Sequence, residues 1–486
     1  MRKMGLLAAI ALMAGLLVIP TASASGYRYL PYTGYNYDEW NKPVSSSAGY
    51  YAVKSVLSDA GNETVWKKPV DLFIDGNGDF YLINSEPAQI IVMDRDFRLK
   101  NILSSVTMPD GSTASLITPQ GVFVKEDKLY IADSGLQMVL ICQADGTVLQ
   151  TLTKPDSAIF PQESTFEPLK VLADPLDNTY VLVNGVYQGA VCFDKHGDFF
   201  SFFGSNTVVA TEKVLMRRFW RLFMTEEQIN NTSTITPVEY TNFDIDDEGF
   251  IYTCTATGTE DTNQLRRLNS LGINILPSGR FGDLEYNYYK GTTYKTEFVD
   301  VAVDDEGYLF GLDGTRERIF VYDQDGEEMF IFGGSGNQLG NFKTAVAIDE
   351  YNGSLYVLDN AKASITEFIP TEYGEAVFAA TAAYEQGRYT EAEALWQNVL
   401  RYNANYSLAY VGIGKAQYYM GEYTGAMASF EKGRDREQES KTFIEWRKQQ
   451  IRTYITPVLI VLLLCVMGLI VWRLIRKHRC KGGRKK

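Results

Sequence analysis

The chain of 486 residues carries only two histidines, and that scarcity excludes much of the usual site chemistry. His478 lies in a basic run near the C-terminus, and His196 lies in the short turn of FDKHGDF. A histidine-held zinc needs several imidazoles converging on one point, and a Ser-His-Asp triad needs one beside a nucleophile. Neither arrangement can be assembled here. The five cysteines form no Cys-x-x-Cys motif. Cys465 falls in an apolar run and Cys480 in the basic tail, while Cys142, Cys192 and Cys254 fall in strand-like text. Buried free thiols are the expectation for these three, with a single bridge as the alternative. Basic residues are in deficit, with a formal charge of −14, so phosphate-rich nucleic acid is excluded as a partner. No phosphate loop, nucleophile elbow or dinucleotide fingerprint occurs, and no cofactor is expected.

Long apolar runs occur only at the two ends. Met1, Arg2 and Lys3 precede an apolar stretch from Gly5 to Ile19, then Pro20 and the small-residue signal Thr21-Ala22-Ser23-Ala24. This reads as a signal peptide over residues 1–24, cleaved after Ala24. Near the other end, Ile455 to Trp472 is long enough to span a bilayer. Eight basic residues and no acid follow it, so residues 473–486 read as a cytoplasmic tail. Everything between leader and span is then extracytoplasmic, at a bacterial plasma membrane. Removing both basic ends makes that middle portion more acidic still.

What fills the middle is one phrase repeated. An apolar strand, an acidic turn with Gly or Asn, and a second strand with an aromatic occur together six times. The copies are PVDLFIDGNGDFYLI from Pro69, PQGVFVKEDKLYIAD from Pro119, PLKVLADPLDNTYVLV from Pro168, TNFDIDDEGFIYTC from Thr241, VDVAVDDEGYLFGLD from Val299 and AVAIDEYNGSLYVLD from Ala345. Each reads as a tight hairpin. Copies spaced roughly 45 to 70 residues apart predict a mostly β chain built as a six-bladed β-propeller. The last copy has three strands, near 345–349, 354–358 and 364–368, and an isolated strand at 51–58 is expected to complete that blade. The propeller so drawn covers residues 49–372, after a Tyr-rich arm over 25–48 expected to pack across its bottom. An insertion over 207–237 reads as a helical hairpin. It is expected to be either a lid or, through Arg217, Arg218 and Arg221, a basic docking helix for an acidic partner.

Aligning the copies places Asp71, Gly121, Lys170, Asn242, Asp300 and Ala345 at the mouth of the central channel. Asp71, Lys170, Asn242 and Asp300 are the candidate ligand-binding residues. Asp71, Asn242 and Asp300 also have the oxygens to hold a divalent ion, but an ammonium among them repels a cation. Lys170 is expected to pair with Asp71 or Asp300 instead. Asp75, Asn77 and Asp79 alternate as calcium-loop residues do, yet stand where other copies have their ordinary acidic turn. The tyrosines Tyr27, Tyr29, Tyr32, Tyr35 and Tyr37 with Trp40, and the group Tyr286, Tyr288, Tyr289 and Tyr294, suit either packing or glycan contact.

From Gly374 the period changes. Gly387, Tyr389, Ala392 and Trp396 recur as Gly421, Tyr423, Ala426 and Phe430, all offset by 34. With Tyr410, Ile413 and Gly414, this resembles the tetratricopeptide repeat family, which implies two antiparallel helix pairs that hold another protein. The helical domain is drawn over 373–452, the membrane helix over 455–472. The blade text, with corners such as Asn84-Ser85-Glu86 and Asp133-Ser134-Gly135, resembles NHL repeats. The corner arginine of that family is largely missing, although Arg318 stands near its place in the fifth copy. The combination looks like proteins that accompany bacterial carbohydrate uptake. It implies a membrane-anchored binding or scaffold protein, not an enzyme. The alternatives are a metal-dependent lactonase-like hydrolase and a glycan-binding adhesin led by the tyrosine arm.

Overall fold

The computed structural model describes residues 30–32, 34–37, 42–58, 65–161, 163–205, 239–255, 263–277, 279, 281–287 and 292–482. The leader, the insertion with Arg217, Arg218 and Arg221, and Tyr27, Tyr29, Trp40, Tyr288 and Tyr289 lie outside these residues. The side chains of Tyr286 and Tyr294 also lie outside the description.

Six blades close into a ring. Blade 1 is Pro69–Ile74, Phe80–Asn84, Gln89–Met93 and Leu99–Leu103 in sequential order, and blades 2 and 3 repeat the pattern from Pro119 and Pro168. Blade 4 has three strands among the described residues, Asn242–Ile245, Ile251–Cys254 and Leu265–Leu268. Blade 5 runs from Phe298–Val303 to Glu328–Gly333. Blade 6 has three sequential strands, Ala345–Tyr351, Ser354–Asp359 and Ser364–Pro370, and the strand Tyr50–Leu57 pairs antiparallel with the last of them. The isolated strand therefore closes the ring as expected, and removes the unpaired edge a three-stranded last blade would leave. Second and third strands are buried on both faces, which is why FYLIN, QIIVM and TYVLV read as nearly unbroken apolar runs.

The acidic turns have a local cause. Asp75 Oδ1 accepts from the backbone N–H of Asn77 and of Asp79, each at 2.9 Å. Asp94, Asp174, Asp194 and Asp323 repeat the i+2 and i+4 pattern. A short acceptor side chain that bonds its own backbone two residues on nucleates a turn. The alternation of Asp75, Asn77 and Asp79 thus serves the hairpin; Asp79 pairs with Lys100. His196 is one exposed residue of such a turn. The corners are staples. Buried Asp133 accepts from Ile117, Thr118 and Gly135 N–H groups, tying the end of blade 2's second strand to the entry of its first.

The arm takes a different place from the one its composition suggests. Its strands Gly34–Tyr37 and Pro43–Ser46 form a hairpin that extends blade 5 to six strands, with Tyr35 opposite Ile331. Arg318 reaches this addition and pairs with Asp283 and the Tyr35 hydroxyl, while Tyr37 also donates to Asp283. Tyr32 is buried against Phe332 and Phe368 and donates to the Tyr50 carbonyl.

Five helices follow blade 6: α1 (Glu372–Glu385), α2 (Tyr389–Tyr402), α3 (Ser407–Tyr419), α4 (Tyr423–Gly433) and α5 (Arg436–Gly482). Thr371 caps α1, its hydroxyl accepting from Gly374 N–H at 3.0 Å. Ala392 and Trp396 on α2 are buried, as are Ala426 and Phe430 on α4, so the offset of 34 reflects equivalent packing positions. The block sits on blades 5 and 6 through aromatics. Phe378 packs on Tyr308, Phe330 and Tyr50 at centroid distances of 4.7, 5.6 and 6.0 Å. Tyr406 donates to the Met329 carbonyl at 2.9 Å. A Cβ on Gly374 would run into the Gly49 carbonyl, which fixes how closely α1 approaches the ring. Helix α5 is continuous for 47 residues and contains an apolar segment long enough to cross a membrane.

Candidate functional site

The inner strands of adjacent blades pack side by side around the channel. Five of the six carry a register shift at the same point, between Pro69 and Asp71, Pro119 and Gly121, Pro168 and Lys170, Phe298 and Asp300, and Ala345 and Ala347. The ring position in blade 6 is therefore Ala347, not Ala345. The hairpin of that blade closes with the two residues Asn352 and Gly353, both at positive φ; like the two-residue loop of blade 2, it is shorter than those of blades 1, 3 and 5, which slides the alignment of the copies.

With the register corrected, the acids of the ring follow one rule. Asp71 of blade 1 accepts from Val122 N–H of blade 2 at 2.9 Å, and Asp300 of blade 5 from Ile348 N–H of blade 6 at 2.8 Å. Two residues further along the strand, Asp244 of blade 4 accepts from Val303 N–H of blade 5 at 2.9 Å, and Asp349 of blade 6 from Ile74 N–H of blade 1 at 2.6 Å. Each carboxylate stitches its strand to the next. The sequence reading placed Asp71 and Asp300 in the ring and missed Asp244 and Asp349, which sit one alternate position beyond it.

Lys170 pairs with Asp71 across blade 2, where Gly121 has no side chain to intervene. A Cβ on Gly121 would come within 2.8 Å of Lys170 Cα. Burial pulls the ammonium down, but Asp71 and Asp300 outweigh it and lift Lys170 above the ordinary lysine range. Burial also lifts the Asp71 carboxyl, and Lys170 draws it back. The ion pair is the stronger influence here, because two carboxylates face one ammonium. Asn242 donates to Asp300, and its own Oδ1 accepts from Phe243 N–H at 2.8 Å. The four predicted residues thus fall into two side-chain pairs, with Asp300 also facing Lys170.

Burial pushes Asp300 up to about 7 and Asp244 likewise to about 7. Asp349 rises well above the usual carboxylate range, through burial and then the facing Asp244. The buried thiols Cys142 and Cys254 are pushed up to about 12, and Cys142, Cys192 and Cys254 are all free. A divalent ion at Asp71, Asn242 and Asp300 would have to displace backbone donors and an ammonium. Among the described residues, no group of three or more His, Cys, Asp or Glu side chains is placed to hold a metal.

Fold and ring together define a six-bladed β-propeller with carboxylate-stitched inner strands and a docked helical block. No known protein family matches the chain, and no curated protein matches it. Among solved structures it is similar to virginiamycin B lyase from Staphylococcus aureus, at 6% identity and TM-score 0.41, covering 66% of this chain and 99% of that one. A streptogramin B lyase matches at 9% identity and TM-score 0.41, with coverages of 67% and 100%. A protein of unknown function from Bacteroides thetaiotaomicron matches at 10% identity and TM-score 0.40, with coverages of 68% and 80%. Similarity this weak carries nothing about what this chain binds or does.

Proposed function

We propose that the chain is a single-pass, membrane-anchored extracytoplasmic scaffold. Its propeller takes a ligand or partner, and its tetratricopeptide-like helix pairs hold a second protein near the bilayer. A role beside a bacterial carbohydrate-uptake system is the finer form of this reading, and it rests on the resemblance of the repeats. Asp71, Lys170, Asn242 and Asp300 hold the ring together and meet a ligand only as the polar floor of the channel mouth. The lactonase-like reading is the weaker one, because these groups are already engaged with each other and with backbone. The adhesin reading loses support from Tyr35 and Tyr37, whose hydroxyls are engaged with Asp283.

The observation that carries the scaffold reading is a tyrosine patch at one end of the helix pairs. Tyr384 of α1, Tyr389 of α2, Tyr418 and Tyr419 of α3 and Tyr423 of α4 converge there. Tyr389 and Tyr419 stack at 4.9 Å, and Tyr419 is 56% exposed. Rigid aromatics with a polar tip, clustered at a surface, are the residues that dominate protein interfaces. The test is in-cell photo-crosslinking from position 419 in the full chain. A discrete partner adduct that Tyr389→Ala diminishes at least fivefold supports the reading. No adduct, or one that Tyr389→Ala leaves unchanged, refutes it.

A further inference from the structure

A groove of about 1060 Å³ opens at the opposite end of the helix pairs. One wall is the arm hairpin and blade 5, with Val44, Ser45 and Glu328; the other is α3 and the end of α4, with Tyr410, Val411 and Lys432. Three features meet in it. First, Pro43–Ser46 is the last strand of a six-stranded sheet, so its outer edge has no strand partner among the described residues. Its residues are largely exposed, Val44 at 39%. Second, Glu328 faces the groove from the same sheet with no hydrogen bond or ion pair among the described residues, and burial alone pushes its carboxyl up to about 8. Glu327 lies beside it, similarly lifted by burial with Lys415 opposing. Third, Tyr410 on the facing helix presents its ring to the groove, with the Lys432 ammonium 5.9 Å from its centroid.

An unpaired edge offers backbone donors and acceptors to any extended chain. An extended segment adding to such an edge gains main-chain hydrogen bonds, and its alternate side chains enter pockets on either side. A basic side chain at one of those positions would give Glu328 the cation it lacks. We propose that this groove takes an extended segment of a partner protein, added as a seventh strand to Pro43–Ser46, with a lysine or arginine side chain on Glu328. The bound cation favours the carboxylate over the acid, so binding draws a proton off Glu328 and tightens as pH rises through 8. Tyr35 and Tyr37 of the arm, Tyr322 of blade 5 and Tyr406 of α3 face Glu328, and burial lifts all four hydroxyls so that they stay neutral over this range.

The proposal rests on the scaffold reading, but its test is separate from that of the tyrosine patch. The probe is a fluorescein-labelled heptapeptide of alternating lysine and threonine, titrated by anisotropy against the full chain in nanodiscs. A second peptide of the same sequence is N-methylated at alternate residues, which keeps the charge and removes backbone donors. A photo-crosslinker at Val44 reports position. The expected result is saturable binding that crosslinks at Val44, weakens at least tenfold with Glu328→Gln, weakens comparably on N-methylation, and is tighter at pH 9 than at pH 7. Equal binding of the N-methylated peptide overturns the strand addition. Equal binding to the Glu328→Gln chain overturns the cation site. No binding of the parent peptide, or binding without crosslinking at Val44, overturns the groove as its place. A groove that fails while the adduct at position 419 persists leaves the scaffold reading standing.

Discussion

Blades 1 to 3 and blades 5 to 6 handle acid in opposite ways. In the first half, among the described residues, perturbed surface carboxyls move down. Glu86 is held down by Lys68, Asp177 by Lys125 and Lys128, and Glu167 by Asn184 and Thr165. The one lifted acid there, Asp71, has Lys170 against it. In blades 5 and 6 the perturbed carboxyls move up, and burial is the first cause each time. Asp304 reaches about 8, while Glu317, Asp323 and Glu350 reach about 7. The difference follows from what covers each half. Blade 5 carries the arm hairpin on its outer edge and the aromatic seat of α1, and blade 6 leads directly into α1. Removing water from a carboxyl without supplying a cation favours its neutral form. In one half the perturbed carboxyls meet a cation or a polar donor that favours the charged form, and in the other burial favours the neutral form.

The sharpest way to break this contrast is to remove the cation of the first half. Lys170→Met keeps an unbranched side chain, one atom shorter and without charge, and leaves Asp71 buried without its partner. Breaking a buried pair from one side costs about 3–5 kcal/mol, because the remaining charge stays desolvated. The full chain should show a large drop in melting temperature. Adding Asp71→Asn should restore most of it, since the amide still accepts from Val122 N–H. A double variant as unstable as Lys170→Met alone would show that the lysine acts by packing and not by charge.

The next effect belongs to the acids on the inner strands of blades 4 to 6, and its sign is fixed by the direction of the shifts. Asp244 and Asp300 stand at about 7 and Asp349 higher, against about 3.9 for an unperturbed aspartate. The folded chain keeps protons that the unfolded chain releases. Stability from these groups is complete below about pH 4 and is lost as pH rises through about 7. Melting temperature should therefore be higher at pH 5 than at pH 8. Asp349→Asn carries no titrating proton, relieves the facing Asp244, and should flatten that slope by a measurable part. A variant with the unaltered slope would move the effect to Asp304, Asp323 and Glu350.

How much of this the residues announced depends on the range of the contact. The six hairpins, the closing strand at 51–58 and the ring positions Asp71, Lys170, Asn242 and Asp300 follow from local alternation and turn chemistry. The Asp71–Lys170 pair was one of two that the charges allowed. Asp349 was illegible for a physical reason. A register shift precedes it, and its acceptor role depends on Ile74 some 275 positions away. The arm was misplaced because tyrosine content says that a segment packs, not against which strand. Its site on blade 5 depends on Asp283 and Arg318, which lie 248 and 283 positions from Tyr35. Glu328 reads as an ordinary strand-edge acid until the helix pairs cover it.

The smallest effect tests whether packing in the first half is independent of charge in the second. At the position where blades 4 and 6 have Asp244 and Asp349, blades 1 and 2 have Phe73 and Phe123, tilted at a centroid distance of 5.0 Å. An aromatic pair is worth about 0.5–1.5 kcal/mol beyond the area it buries. Phe73→Leu keeps an apolar side chain and gives up the ring contact, so it should cost about 1 kcal/mol. Neither ring titrates, so the loss should be the same at pH 5 and pH 8. A loss that grows at pH 8 would mean that loosening blades 1 and 2 reaches Asp349 through its bond to Ile74, one residue beyond Phe73. The two halves would then be one coupled ring, and the contrast between them a difference of chemistry without independence of stability.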